Sequence, residues 1–212
     1  MRIVSENREP QREYFAVAKR QIKHMTRLID ELQGASRLDP HKLSVDFIDS
    51  SLNEILSDPL AAVRERVEAR RHTLSVRALA HDVRLVVDPV RLTQVIVTLL
   101  SNAIRYTPGT GQIDLNVERK CTGAKDGIEI LIRDNGIGID AAMLPRIFEP
   151  FAQFAGAAAR LEGGLGIGMS IAQRLTQLHG GTIVVTSAGR ERGIQARSTT
   201  PVRAAAADEA GT

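Results

Sequence analysis

Two runs of strict alternation constrain this chain more than anything else in it. Ile113, Leu115 and Val117, then Ile128, Ile130 and Ile132, put apolar side chains at every second residue, the period of a half-buried strand. The Thr122-Gly123-Ala124-Lys125-Asp126-Gly127 stretch between them reads as the connection of a hairpin. The second strand runs straight into Asp134-Asn135-Gly136-Ile137-Gly138. An Asn-Gly pair most often makes a tight turn, yet no strand-like run returns at once. An acid at a strand end followed by two glycines instead places a carboxylate at the mouth of the sheet, where bare backbone can close on a flat ligand.

Strands and helices alternate on either side of this pair. Lys42–Ile48 reads as a strand, and Asp49-Ser50-Ser51 offers the cap of a helix reaching roughly Arg70. Thr73–Ala78 and Val83–Val87 are further strand-like runs. Asp88-Pro89 is a helix start, with Asp as the cap and Pro at the first helical position. The helix that follows carries a broad apolar face of Leu92, Val95, Ile96, Leu99, Leu100, Ala103 and Ile104, and Thr107-Pro108-Gly109 ends it. Another face presents Thr98, Asn102, Arg105 and Tyr106, either as a solvated flank or as the lining of a site. Asp140 is expected to cap a short helix over Ala141–Ile147. Phe148-Glu149-Pro150-Phe151 then leads into the small residues Ala155–Ala159, an ordinary surface loop or a lid. Thr182–Ser187 and Ile194–Ser198 form a last hairpin around Gly189 and Gly193.

The ends of the chain differ from this body. Phe15, Ala18, Ile22, Met25, Ile29 and Leu32 recur at helical spacing between Pro10 and Gly34, and such a lone amphipathic stripe needs a partner. His24 beside it is either a phosphoryl acceptor or a packing residue. The Ala-rich tail from Arg203 is expected to be disordered.

The run Gly163-Gly164-Leu165-Gly166-Ile167-Gly168-Met169-Ser170 opens directly into a helical pattern ending at His179-Gly180-Gly181. Bare N–H groups and the positive end of a helix dipole suit a phosphate there, although glycine-rich runs also serve as plain connectors. No G-x-x-x-x-G-K-S/T occurs, which excludes a P-loop. The glycines run G-x-G-x-G after a small-residue loop, not G-x-G-x-x-G after a strand, which argues against a Rossmann site. A net charge of only +3, no Trp and few other aromatic residues (two Tyr, five Phe) leave no basic stacking surface for single-stranded nucleic acid. The single cysteine, Cys121, excludes an intrachain disulfide framework and fits a reducing compartment. No apolar run is long enough to span a bilayer and the N-terminus has no signal-peptide core, so the expected location is cytoplasmic.

Four stretches in order, Asn102-Ala103-Ile104-Arg105-Tyr106-Thr107-Pro108, Asp134-Asn135-Gly136-Ile137-Gly138, Phe148-Glu149-Pro150-Phe151 and Gly164-Leu165-Gly166-Ile167-Gly168, resemble the N, G1, F and G2 boxes of two-component sensor histidine kinases. Asp88-Pro89-Val90-Arg91-Leu92 and Leu178-His179-Gly180-Gly181 also match habitual wording of that family. The likeness covers roughly residues 40–200. It implies the gyrase-type (Bergerat) fold, a two-layer α/β sandwich with a mixed sheet and helices on one face. It implies a catalytic domain over 39–202, a dimerisation-type helix within 1–38 and a tail over 203–212. The function implied is transfer of the γ-phosphoryl group of ATP to a histidine in two-component signalling.

The resemblance also assigns roles. Asp134 would accept a hydrogen bond from the adenine amine, with Gly136, Gly138 and Ile139 beside the base. Asn102 would supply an oxygen to Mg²⁺, Arg105 would lie near the phosphates and Tyr106 near the base. Gly164, Leu165, Gly166, Gly168 and the start of their helix would hold the triphosphate. Two positions depart from the family pattern. Thr98 stands where the N box has its first asparagine and the water-splitting relatives a glutamate base, which disfavours hydrolysis. No His-Glu/Asp-x-x-Asn/Thr-Pro phosphoacceptor motif is present, and His24 is followed by Met25 rather than an acid. The expected partners are therefore a phosphoacceptor domain or full-length kinase supplying a histidine in trans, and a response regulator. A homodimer through the N-terminal helix is a further expectation, and the chain resembles a kinase truncated at its start. The alternative is a nucleotide-binding regulatory module without phosphotransfer.

Overall fold

The computed structural model describes residues 43–122, 125–152 and 165–201. The expected N-terminal helix, the small-residue stretch 155–159, Gly164 and the tail lie outside these residues. The elements in order are β1 (Ile48–Ser51), α1 (Leu52–Ala69), β2 (Thr73–Arg77), β3 (Arg84–Val87), α2 (Pro89–Tyr106), β4 (Gln112–Thr122), β5 (Lys125–Asp134), α3 (Gly168–Leu178), β6 (Thr182–Thr186) and β7 (Ile194–Pro201). A 3₁₀ turn spans Leu144–Arg146 between β5 and α3.

Five strands form one mixed sheet in the order β2-β4-β5-β7-β6, and β1 pairs with β3 in a separate two-stranded ribbon. β2 lies parallel to β4, and every other pairing in the large sheet is antiparallel. The alternation of the two central strands decides which face is covered. Ile113, Leu115, Val117, Ile128, Ile130 and Ile132 all point to one side and are buried. Helices α1 to α3 close over that side, and their apolar residues join the strand side chains in one core. Each such side chain contributes about 1.5–3 kcal/mol on burial. The fold is the two-layer α/β sandwich expected, with its helices on one face. The open face is polar, and its buried Glu129 is neutralised by Lys120 at 2.8 Å and Arg197 at 3.4 Å.

Local chemistry sets the helix ends. Ser51 caps α1 by accepting from the Glu54 amide at 3.2 Å, and Asp88 caps α2 by accepting from the Arg91 amide at 3.0 Å, with Pro89 at the first turn. Two expectations are corrected. The run Leu43, Val45 and Phe47 does alternate in exposure, but the strand is Ile48–Ser51. The Asp46 amide donates to Asp88 Oδ2 at 3.0 Å, so the segment before Ile48 is tied to a side chain rather than to a ladder. The short helix expected over Ala141–Ile147 is only the 3₁₀ turn. Asp140 does cap the Ala142 amide at 3.0 Å, but Pro145 has no N–H with which to continue an α-helix.

His179 locks the two site-bearing helices together. It caps the end of α3 and is buried. Its Nε2 accepts from the Asp88 amide at 3.1 Å, which requires Nε2 to be bare, and Nδ1 then donates to the Leu175 carbonyl at 2.8 Å. The ring meets Phe47 edge-on at 5.6 Å. One neutral imidazole thus fastens the last turn of α3 to the cap residue of α2, 91 positions away. His179→Ala is expected to cost about 2–4 kcal/mol of stability, from the buried amide left unpaired and the lost packing. Urea denaturation measures it, and a loss under about 0.5 kcal/mol would show that the link is dispensable.

Candidate functional site

The polar flank of α2 faces neither the core nor open water. Thr98, Asn102, Arg105 and Tyr106 are all half-buried. Thr98 Oγ1 donates back to the Gln94 carbonyl one turn earlier, at 2.8 Å. Its methyl faces α3, where a Cβ on Gly168 would lie 3.2 Å from Thr98 Cγ2. The first N-box position therefore packs against the start of the glycine-box helix and has no free hydroxyl proton. The Asn102 side chain makes no hydrogen bond to another described residue, which leaves its oxygen open to a ligand.

Asp134 ends β5 on the same face of the sheet as Ile132, under the helices. Burial pushes its carboxyl above the usual carboxylate range, and hydrogen bonds from the amides of Gly136 and Ile194 only partly offset this. The Gly136 amide reaches Oδ1 at 2.9 Å. The loop that follows is pinned on two sides. Toward α2, the Ile137 amide donates to the Tyr106 carbonyl at 3.0 Å, and a Cβ on Gly136 would come within 2.5 Å of that same oxygen. Toward the β6–β7 hairpin, the Glu191 amide donates to the Ile137 carbonyl at 2.7 Å, the Gly193 amide to the Gly136 carbonyl at 3.1 Å, and the Ile139 amide to Ser187 Oγ at 3.0 Å. Asn135 works outward, its Oδ1 accepting from the Gln112 amide at 2.8 Å and sealing the start of β4.

The third wall is the start of α3. Gly166 takes a left-handed φ of +76°, and its carbonyl accepts from the Phe151 amide at 3.1 Å, so the F-box end clasps the glycine box. The α3 N-cap is Ile167, whose side chain makes no cap hydrogen bond to the first amides of the helix. Leu165 packs against the core. Asp134, the Gly136–Ile139 loop, the α2 flank and the Gly166–Gly168 turn are thus held around one region by direct bonds and contacts.

Not all of this is legible in the residues. The hairpin loop Ser187–Gly193 reads in sequence only as a turn, yet it supplies three of the bonds that hold the Asp134 loop. The signal available is the pair Gly189 and Gly193 in a short hairpin. The open face of the sheet carries a separate shallow depression lined by Ser75, Arg77, Asp114, Asn116 and Arg133, away from these residues. No cluster of three His, Cys, Asp or Glu residues suited to a metal occurs among the described residues.

Residues 87–204, more than half of the chain, match the family of histidine kinase-, DNA gyrase B- and HSP90-like ATPases. The chain belongs to that family. It is 33% identical over 178 residues to the signal transduction histidine-protein kinase BarA of Escherichia coli K12, covering 82% of this chain and 19% of BarA. It is 32% identical to the alginate biosynthesis sensor protein KinB of Pseudomonas aeruginosa, covering 79% of this chain and 27% of KinB. The chain therefore spans only about a fifth to a quarter of the length of these relatives. Among solved structures, the catalytic domain of the histidine kinase ThkA superposes with a TM-score of 0.63 at 25% identity, over 74% of this chain and 96% of that domain. The expected family assignment holds at the level of this ATPase family, and the listed relatives to which the chain is similar are histidine kinases. No helix among the described residues is long and apolar enough to cross a membrane.

The stapling of the Asp134 loop is open to test. A Cβ on Gly193 would sit 1.8 Å from the Asp134 carbonyl oxygen, at a φ of +65°. Gly193→Ala should cost more than about 2 kcal/mol in thermal or urea denaturation, whereas Gly109→Ala, with ordinary contact at 3.6 Å, should stay within about 0.5 kcal/mol. Equal effects from the two would refute the close approach.

Proposed function

We propose that this domain binds MgATP and passes the γ-phosphoryl group to a histidine carried on another chain or segment. The observation that carries the reading is Asp134, a half-buried carboxylate at a strand end beneath a backbone loop stapled on both sides. A half-buried acid with no cation beside it among the described residues carries a desolvation cost, and a ligand that donates a hydrogen bond to it is the natural compensation. In this reading Asp134 accepts from the exocyclic amine of adenine, and guanine, whose carbonyl stands there, is refused. Gly136, Gly138 and Ile139 lie along the base, Tyr106 beside it, and Arg105 toward the phosphates. Asn102 offers its free carbonyl oxygen to Mg²⁺, which keeps its remaining positions for water and phosphate oxygens. Bound there, the ion supplies neutralisation of phosphate charge. Gly164, Leu165, Gly166, Gly168 and the uncapped amides of α3 hold the triphosphate.

Transfer is favoured over hydrolysis by Thr98. Its proton is committed to the Gln94 carbonyl, and a threonine cannot take a proton from water at neutral pH. Of the described histidines, His72 and His179 are buried and bonded within the core, and the exposed His81 between β2 and β3 lacks the phosphoacceptor motif, so this reading draws the acceptor from elsewhere. A phosphoacceptor domain supplied in trans, followed by a response regulator, completes the proposed relay. The proposed division is a helix within 1–38 that pairs with a partner or a second copy, the catalytic domain over 39–202, and a tail over 203–212. The alternative, a nucleotide-binding regulatory module, draws on Thr98 as well, since that position offers no carboxamide to the phosphates.

Two measurements test this. Incubation with Mg²⁺ and γ-labelled ATP, with and without a domain carrying an intact phosphoacceptor helix, should label that domain. ATP bound without label on either would favour the regulatory module. Asp134→Asn should weaken ATP binding by about 1.5–3 kcal/mol, roughly ten- to a hundredfold by calorimetry. The same change should stabilise the nucleotide-free domain at neutral pH. The raised carboxyl means that the folded state binds more protons than the unfolded one just above the usual carboxylate range, so stability falls as pH rises through the raised value. The Asp134→Asn substitution abolishes that fall, and an unchanged pH profile would show that Asp134 is not the group responsible. Asn102→Ala should remove most of the Mg²⁺ dependence of ATP affinity, and equal dependence in both proteins would refute the ligand assignment.

A further inference from the structure

Helix α2 ends inside the protein, and its last four carbonyls have no partner within the helix. Each is taken by a different donor. Ala103 O accepts from the Thr107 amide at 3.1 Å, Ile104 O from His72 Nε2 at 3.2 Å, Arg105 O from Arg70 Nη1 at 3.4 Å, and Tyr106 O from the Ile137 amide at 3.0 Å. Two of the four donors, Arg70 and His72, come from the end of α1.

The way His72 reaches its carbonyl is built into the backbone. The His72 amide donates to the Val67 carbonyl and the Arg71 amide to Glu68, both at 3.0 Å, with Arg71 at a φ of +55°. This is a Schellman end, and the residue in the place of His72 ordinarily adds an apolar contact to the helix. A left-handed arginine adds a local strain that a glycine would avoid. Here the position holds a buried imidazole. A carbonyl can only accept, so Nε2 carries the proton, and Nδ1 is left buried with no partner among the described residues. Leucine would fill the space without that penalty. The one thing the imidazole supplies that leucine cannot is the N–H to Ile104.

We propose that His72 is a positioning residue of the nucleotide site: it anchors the last turn of α2 through the Ile104 carbonyl, and so fixes Asn102 and Arg105 on that turn. Tyr106 follows on the same turn, and its carbonyl supports the Ile137 amide and hence the loop below Asp134. His72 touches no ligand and acts only through α2. The inference rests on the reading of this region as an ATP site.

The test compares His72→Leu, which fills the space without a donor, His72→Gln, whose amide nitrogen stands near the Nε2 position, and His72→Asn, whose amide falls short of it. MgATP binding by calorimetry and amide hydrogen exchange without nucleotide are read on each full chain. His72→Leu and His72→Asn should weaken MgATP binding about five- to thirtyfold and speed exchange at the Thr107 and Ile137 amides, while His72→Gln stays within about threefold of wild type on both readouts. Should the leucine variant not fold, the asparagine and glutamine variants carry the same comparison. Wild-type affinity in the leucine or asparagine variant, or equal weakening by asparagine and glutamine, overturns the proposal while leaving the nucleotide site standing. A wild-type chain that binds no ATP overturns the site itself, and the proposal with it.

Discussion

A helix that stops in the interior must hand its last carbonyls to other parts of the chain, and here that obligation organises the candidate site. The last turn of α2 carries Asn102, Arg105 and Tyr106, and its carbonyls are bonded to the α1 end and to the loop after β5. The same backbone groups that complete the helix therefore set the distance between the proposed metal-binding and base-binding halves. At the other end of α2, Asp88 caps the helix and receives His179 from α3. Both ends of one helix are thus fastened to the elements that bring the remaining site residues, and on the half-buried flank between them Asn102 keeps its side chain without a hydrogen bond to another described residue.

Asp134 shows the tension between stability and function. Its carboxylate is partly withdrawn from water and, among the described residues, supported only by backbone amides, an arrangement that costs the empty domain stability at neutral pH. The fold tolerates it because the surrounding loop is stapled from α2 on one side and from the β6–β7 hairpin on the other. Glu129, on the open face of the same strand, is a useful contrast. It is also enclosed but meets Lys120 and Arg197, and its charge is spent within the fold. The two acids of one strand thus differ in what meets their charge: cations for Glu129, backbone amides for Asp134.

Thr98 marks where this member of the ATPase family diverges from the pattern it otherwise follows. The hydroxyl is turned into its own helix and the methyl toward Gly168, so the position joins α2 to α3 by packing instead of offering a polar group to phosphate. The rest of the site keeps its polar and glycine positions. In the proposed reading, what the domain lacks at residue 98 is a single polar reach toward the phosphates, while Asp134 and the start of α3 are held as described above.

Local chemistry made most of the fold readable from the residues alone. Alternation in β4 and β5, the apolar stripe of α2, the caps Ser51 and Asp88 with Pro89, and the final hairpin all depend on neighbours within a few positions, and all stand as expected. The failures were also local in cause. Leu43–Phe47 alternates but has no ladder partner, and Pro145 shortens an apparent helix to one 3₁₀ turn. The sequence by itself thus determined the elements, the buried face of the sheet and the identity of Asp134, Asn102 and the glycine turns as residues with chemistry to explain. Only the tertiary structure decided that His72 would hold Ile104, that His179 would hold Asp88, and that Ser187, Glu191 and Gly193 would grip the loop after Asp134. Those bonds join residues 32 to 91 positions apart, or link loops whose own composition says only that they turn. Hydrogen-bonding groups of that kind look alike in sequence, and which partner each one meets is fixed by how the layers pack.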